Sequence, residues 1–246
     1  MNAPVPIARG RTVRIDQTQR SAATVAGLAF LFTDATATFV QFWVRPATIV
    51  DNDAAKTAAA IAGAEWLFRV GIAVQLGMIA GLVTLTAALY MVLRPVGPVL
   101  ALLAAFWRVV ENAVLAVGTL TSFDALRLLS GAAYLRPVEA DRLRALALSS
   151  IDAYGDAYSV SLLFGGLGLL GFAYLFLKSG YIPRSLAAWG VFGASLTVAS
   201  TLVSIVVPDL AAIVYPWVYA PLLIFELGTA VWLLVRGLRP PETVSA

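Results

Sequence analysis

The chain contains six apolar segments that are each long enough to cross a lipid bilayer as an α-helix, which takes about 20 residues. Backbone groups inside lipid must be satisfied within the segment, so such segments fold as helices and not as open sheets. The sequence therefore predicts an all-α fold, a polytopic transmembrane helix bundle with six spans. In chain order, the predicted spans are residues 21–44, 65–93, 98–121, 157–177, 185–207 and 211–235.

The composition supports one membrane-embedded domain. Of the 246 residues, 60% are hydrophobic and 13% are charged, whereas an average soluble domain carries roughly 25% charged residues. The mean hydropathy of +0.86 agrees with this class. We predict a cytoplasmic basic arm at residues 1–20, a single transmembrane helical domain at residues 21–239 and a C-terminal tail at residues 240–246.

One charged segment is predicted to lie at the membrane surface. Between Val138 and Ile151, apolar residues recur with helical spacing among charged residues. This amphipathic pattern is typical of a helix that lies in the membrane interface or caps a bundle. The sequence therefore predicts an interfacial amphipathic helix at about residues 138–151, separate from the span at 157–177. The aromatic residues interpreted as interface anchors are Trp43, Trp66, Trp217 and Tyr181.

The chain contains no cysteine and no histidine. This excludes disulfides, thiolate nucleophiles, His-ligated haem, Ser–His–Asp catalysis and zinc sites of the usual kind. We predict no cofactor and no bound metal, and any acid–base chemistry would come from Asp, Glu, Tyr, Lys or Arg. The net charge of +3 comes from arginines at helix ends and not from a basic groove interleaved with aromatics, so no nucleic-acid partner is predicted.

The basic residues predict the orientation of the bundle. Six spans place both termini on the same side of the membrane. The segments on that side carry nine Lys or Arg residues against the two acids Asp16 and Glu242, whereas nearby acids balance the cations of the opposite segments. Because Lys and Arg accumulate on the cytoplasmic side, both termini are predicted to be cytoplasmic. The nine residues are Arg9, Arg11, Arg14, Arg20, Arg94, Lys178, Arg184, Arg236 and Arg239.

The third span carries polar residues near its middle. Leu100–Thr121 is otherwise apolar but contains Arg108, Glu111 and Asn112. Their spacing of three and four residues places all three side chains on one helix face. A charge at this depth is costly and is usually kept for a partner or a function. We therefore predict that this face points into the bundle.

Two further acids are predicted at mid-depth, Asp34 in the first span and Glu226 in the sixth. With Glu111 they make three deep carboxyl groups against one deep cation, Arg108. At least one carboxyl then lacks a cationic partner, and burial favours its neutral form. We predict that Glu226 or Asp34 is protonated near neutral pH. The polar groups extend from mid-depth to the outer face, which suggests a cavity that opens outward above Glu226.

The remaining candidate residues flank this cluster. Tyr219 shares a helical stripe with Glu226, near proline breaks at Pro216 and Pro221 that are typical of helices lining a cavity. Glu65 and Arg69 lie one turn apart at the start of the second span and are able to form an ion pair. The candidate ligand-binding residues are Arg108, Glu111, Asn112, Glu226, Asp34, Tyr219, Arg69 and Glu65.

These residues leave several functions open. The first is binding or translocation of a small or lipophilic molecule that enters from the outer face. The second is an intramembrane enzyme that uses two carboxyl groups as acid and base on a lipid or isoprenoid. The third is a non-catalytic partner or sensor subunit that docks through the 138–151 helix. The alternative is purely structural, with the polar groups joining helices. Membrane lipid is a predicted partner in every case, and oligomerisation stays open.

Four short motifs occur in one order along the chain: Glu65–Arg69, Arg108–Glu111, Ser179–Arg184 and Phe225–Leu227. Together they resemble a bacterial multi-spanning membrane protein family of unknown function, domain of unknown function series 4386. The resemblance covers roughly residues 63–237, and its most specific motif is Ser-Gly-Tyr-Ile-Pro-Arg. It implies a protein of six or seven helices in the bacterial cytoplasmic (inner) membrane, without an established activity.

Overall fold

The computed structural model describes residues 15–207 and 219–240, and the regular structure of these residues is helical throughout. The all-α prediction is therefore confirmed. A five-residue π-helix, Val40–Val44, joins the first two helices. The α-helices are α1 (Gln17–Phe39), α2 (Arg45–Thr48), α3 (Ala54–Gly63), α4 (Glu65–Leu93), α5 (Pro98–Leu129), α6 (Ala140–Ser179), α7 (Arg184–Val206) and α8 (Ala220–Val235).

Among residues 15–207 and 219–240, five helical segments are long and apolar enough to cross a membrane. They are the continuous run Gln17–Thr48, which includes α1 and α2, and the helices α4, α5, α6 and α7. The sixth predicted span falls partly on α8, which has 16 residues. Residues 211–218 of that predicted span lie outside the described residues, as do Trp217 and most of the predicted arm and tail. A sixth span therefore stays a prediction.

The long helices pack antiparallel to their neighbours. The side-chain amide Nε2 of Gln19, at the start of α1, donates a 3.1 Å hydrogen bond to the carbonyl oxygen of Val92, at the end of α4. This register gathers the start of α1, the turns at 94–97 and 180–183 and the end of α8 at one end of the bundle, here called the basic end. Other antiparallel contacts are Ala104 with Gly171, Ala157 with Gly118, Leu186 with Gly228 and Leu222 with Gly193.

Two apolar cores lie at the two ends of the bundle. The first is at the basic end and includes Phe30, Leu89, Phe172 and Phe176. The second, at the opposite end, joins α3, α4, α5 and α6. The polar residues of α5 lie between the two cores. The residues of the second core are Ile61, Phe68, Ile72, Ala125, Leu126, Ala147 and Ile151.

The Ser-Gly-Tyr-Ile-Pro-Arg motif forms the turn between α6 and α7. Gly180 ends α6 with a φ of +67°, in the left-handed region that glycine adopts without strain. Tyr181 and Ile182 are buried in the first core, and the backbone N–H of Arg239 donates to the Tyr181 carbonyl oxygen at 2.9 Å. The interpretation of Tyr181 as an interface anchor is therefore wrong, because this side chain closes the basic end of the core.

The predicted interfacial helix at 138–151 is not a separate element. It forms the start of α6, a single helix of 40 residues that is about 60 Å long at 1.5 Å per residue. Ala147 and Ile151 pack in the second core, against residues of α3 and α5. These tertiary contacts continue the helix through the charged segment. In the same way, α5 continues past the predicted end of its span, Thr121, as far as Leu129.

Candidate functional site

An ion pair on α5 forms the centre of the site. Arg108 Nη1 lies 2.9 Å from Glu111 Oε2 and donates a 3.1 Å hydrogen bond to Glu111 Oε1. The two side chains are only 4% and 9% exposed. Their spacing of one helical turn brings them together on the face of α5 that points into the bundle, as the sequence predicts.

Glycines of α6 make room for this ion pair. A Cβ atom at Gly165 would lie 2.6 Å from Glu111 Oε1, and one at Gly168 would lie 2.7 Å from Arg108 Cγ. These distances are too short for any side chain, so glycine lets the two helices approach with the charged groups between them. Gly171 continues the same face toward the basic end, where a Cβ would lie 2.9 Å from Ala104 Cβ. We call Gly165, Gly168 and Gly171 the glycine face.

Sequence reasoning did not connect the glycines of α6 with the charged pair. The signal was present in the spacing, since the glycine face repeats every three residues and α5 carries Ala104, Arg108 and Glu111 at similar intervals. The two patterns can be matched only when the register between α5 and α6 is known. That register cannot be read from either sequence segment alone.

Acids on two other helices approach the ion pair. Glu226 on α8 is within electrostatic range of Asp34 on α1 and of Arg108 and Glu111 on α5. Glu111 is buried, whereas Asp34 and Glu226 are half-buried. The structure thus brings together one guanidinium and three carboxyl groups from three helices that are far apart in sequence.

Several polar atoms of this cluster have no hydrogen-bond partner. Buried atoms without a partner among residues 15–207 and 219–240 include Arg108 Nε and Nη2, both side-chain amide atoms of Asn112, and Asp34 Oδ2. Native folds leave few buried polar atoms unpaired. The cluster therefore keeps capacity for hydrogen bonds with water or a ligand. Within the same ranges, the structure shows no group of three acids placed to hold a metal ion.

The structure places Glu65 and Arg69 outside the buried cluster. They form the predicted ion pair, with 2.7 Å between Arg69 Nη2 and Glu65 Oε1, but their side chains are 54% and 58% exposed. Each pairs with the other at the surface, so the two residues lie outside the buried cluster, and their role in ligand binding stays a prediction. Tyr219 lies at the N-cap of α8 and is half-buried.

Two grooves lie on the surface of the bundle. One, of about 450 Å³, lies between α5 and α6 and is lined by apolar residues that include Ala104, Trp107 and Gly171. The other, of about 460 Å³, follows α8 from Leu227 to Arg236. Neither groove includes Arg108, Glu111 or Glu226. The outward-opening cavity stays a prediction, because residues 208–218 are outside the described residues.

The fold and the site define a class: a polytopic helical membrane protein whose interior holds a buried Arg–Glu pair on a glycine face. The family model of the domain of unknown function DUF4386 matches residues 25–237, and the chain belongs to that family. The match also takes in α1, which the motif-based resemblance did not cover. No curated protein and no solved structure matches the chain.

Proposed function

We propose that this integral membrane protein binds or translocates a small or lipophilic molecule whose polar end is held by Arg108, Glu111, Asn112, Asp34 and Glu226. The observation that carries the proposal is the set of buried polar atoms without partners on α1 and α5. An unpaired buried polar group costs about 1–3 kcal/mol. A ligand that supplies the missing hydrogen bonds would recover part of this cost on binding.

The charge balance of the cluster favours a particular ligand chemistry. Three carboxyl groups surround one guanidinium, so the cluster has an excess of anionic groups when they are ionised. Complementary charge across an interface gives specificity and suppresses like-charged partners. A group that donates hydrogen bonds, such as a hydroxyl, an amide or an amine, therefore fits better than a carboxylate or phosphate.

The groove between α5 and α6 supports a lipophilic body for this ligand. Ala104, which lines the groove, lies one helical turn from Arg108. The carbonyl oxygen of Ala104 and Arg108 Cγ are both within 3 Å of the β-position of Gly168. A molecule lying in the groove from the lipid side would reach the level of the ion pair after about one turn, 5.4 Å. This lateral approach is an alternative to entry from the outer face.

Copurification tests the proposal. The full chain is purified in mild detergent from its native membrane, and small molecules released by denaturation are compared by mass spectrometry between wild type and Glu226→Gln. We expect a species enriched with the wild type and lost with the variant, because the amide changes the charge and hydrogen bonding of the site. Glu65→Gln is the matched control, since it alters a carboxyl group in an exposed ion pair. Equal recovery from all three proteins would contradict the proposal.

An intramembrane acid–base enzyme acting on a lipid or isoprenoid is the second candidate. It is favoured by the electrostatic interaction of Glu226 with Asp34 and Glu111. Carboxyl groups in different surroundings can serve as acid and base. Here Glu226→Gln and Asp34→Asn would each change the lipid profile of the cell. The third function, docking through the 138–151 segment, has less support, since Ala147 and Ile151 pack inside the protein.

We further propose that the protein lies in the bacterial cytoplasmic membrane with both termini in the cytoplasm. The antiparallel register supports this orientation because it gathers the cations of α1, α6, α8 and the intervening turns at the basic end. An excess of Lys and Arg at one end is the signal that orients membrane helices.

A further inference from the structure

The two ends of the bundle differ in the ion pairing of their cations. Among the described residues there are six ion pairs: one is Arg108–Glu111, and the other five lie at the opposite end. Among residues 15–207 and 219–240, the only acid at the basic end is Asp16, whose carboxylate accepts the backbone N–H of Gln19. The cations of this end without an ion pair to residues 15–207 or 219–240 are Arg20, Arg94, Lys178, Arg236 and Arg239.

An apolar groove leads along α8 to one of these cations, Arg236. It has a volume of about 460 Å³ and is lined by Leu227, Gly228, Val231, Trp232 and Val235, with Arg236 at its end. Val231 and Val235 are 54% and 72% exposed, which is the exposure of side chains that face lipid tails.

The C-terminal segment brings a second arginine to the same place. After α8, the chain turns at Gly237, which has a φ of +68°, and the backbone N–H of Arg239 bonds to the Tyr181 carbonyl oxygen. The Arg239 guanidinium lies over the Trp232 ring, 4.4 Å from its centroid. The Arg239 guanidinium therefore lies on the tryptophan that lines the groove, and Arg236 is at the end of the same groove.

We infer that this groove is a binding site for an anionic phospholipid. One acyl chain lies along Leu227–Val235 of α8, and the phosphate is bound by Arg236 and Arg239. Guanidinium groups bind phosphate oxygens through paired charge-assisted hydrogen bonds, and Trp232 lies at the depth of the headgroup, where tryptophan is enriched. Charge complementarity decides the lipid class, since Arg236 and Arg239 form no ion pair with residues 15–207 or 219–240.

A zwitterionic lipid would place its own cationic headgroup near Arg236 and Arg239, where like charges repel. A free phosphate would leave the apolar part of the groove unoccupied. The site is separate from the Arg108 cluster. It therefore does not depend on the function proposed for that cluster.

Affinity measurements on the full chain in detergent test the site. The probes are phosphatidylglycerol and phosphatidylcholine with identical acyl chains, and glycerol 3-phosphate as the headgroup alone. We expect phosphatidylglycerol to bind more tightly than the other two. Arg236→Gln should weaken its binding about fivefold, because one basic residue at an anionic surface contributes about 1 kcal/mol. Val231→Trp should also weaken it by filling the groove.

Two matched controls make the result specific. Arg94→Gln removes an exposed cation of the same end that does not line the groove, and Ile224→Trp adds the same bulk to an exposed position of α8 outside it. Both should bind phosphatidylglycerol as the wild type does. Equal affinity for the two lipids, equal affinity for glycerol 3-phosphate, or an Arg94→Gln effect as large as that of Arg236→Gln would each overturn the assignment.

Discussion

Arg108 is the buried cation that interacts electrostatically with the acids of the interior. It is 4% exposed and pairs with Glu111 across one helical turn, while the charges of Asp34 and Glu226 act from neighbouring helices. Burying the Arg108 guanidinium costs desolvation free energy. The ion pair with Glu111 offsets that cost only while both residues are present. The Arg–Glu pair can therefore serve as a fixed scaffold, with the half-buried acids beside it as the groups that change their contacts.

Arg108→Leu should strongly destabilise the protein. It leaves the Glu111 carboxylate buried without its partner, which typically costs about 3–5 kcal/mol. The double variant Arg108→Leu/Glu111→Leu should recover most of this loss, because it removes both charges. Unfolding of the purified protein in detergent measures the effect. Arg69→Leu is the control, since it breaks an exposed ion pair of a kind worth about 0–1 kcal/mol. If Arg108→Leu were as stable as Arg69→Leu, the buried pair would have no structural role.

Gly165→Ala tests the contact between α6 and the ion pair. The new Cβ would lie 2.6 Å from Glu111 Oε1, so the carboxylate or the helices must move, at a cost of about 1–3 kcal/mol. Gly155→Ala is the matched control on the same helix, because no atom lies within 4 Å of its Cβ position. The control should unfold at or above the wild-type denaturant concentration. Equal stabilities for both variants would contradict the close packing of α6 on Glu111.

At the scale of elements, α3 shows how a short polar segment is stabilised. Its N-cap is Asp53, whose carboxylate accepts the backbone N–H of Lys56 at 2.9 Å and pairs with Lys56 Nζ at 2.9 Å. The backbone hydrogen bond from Lys56, followed by the interaction with its side chain, holds the pKa of Asp53 below its ordinary value of 3.8. This cap begins the helix that packs on α6 in the second core.

The Asp53 cap predicts a pH dependence of stability. Because the pKa is lower in the folded state, ionised Asp53 stabilises the fold above the ordinary value of 3.8, and this contribution is lost as the pH falls through the folded-state pKa. Asp53→Asn keeps a capping side chain but does not titrate. The stability difference between wild type and Asp53→Asn should therefore shrink as the pH is lowered below 3.8. A difference that stays constant over this range would contradict the role of the charge.

The elements that sequence reasoning predicted best are those with continuous apolar runs. The span at 65–93 coincides with α4, and the turn at 94–97 follows it directly. The prediction failed at 138–151, where the charged residues suggested an interfacial helix that ends before the next span. Local composition does not contain the contacts of Ala147 and Ile151 with α3 and α5. Those contacts join the two predicted helices into α6.

The candidate site was predictable in its deep residues and not in its surroundings. Depth along each span pointed to Arg108, Glu111, Asp34 and Glu226, and the structure brings these four within electrostatic range. By contrast, Glu65 was included for its place at the start of the second span, one turn from Arg69, and it is exposed on the surface. The distance of a residue from the helix end can be counted in the sequence, but the direction that a terminal residue faces depends on the packing of neighbouring helices.

At the scale of the whole molecule, the distribution of ion pairs makes the two ends unlike. Five exposed pairs neutralise charge at the opposite end, whereas the basic end keeps cations such as Arg94 and Arg236 without an ion pair to a described residue. A cation that is already paired with an acid adds little to the net field of its end. The structure therefore shows a difference in ion pairing between the two ends, and the assignment of the basic end to the cytoplasm stays a proposal that rests on the count of Lys and Arg residues.

Single cysteines test this orientation directly, because the chain has none of its own. Ser185 lies exposed at the basic end and Ala133 lies exposed at the opposite end. In intact cells, we expect a membrane-impermeant maleimide to label Ala133→Cys, since that position would face outward. Ser185→Cys should react only after the membrane is permeabilised. Labelling of Ser185→Cys in intact cells, with Ala133→Cys protected, would reverse the orientation. The phosphate of the lipid proposed for α8 would then lie in the outer leaflet, away from the anionic cytoplasmic surface that best complements Arg236 and Arg239.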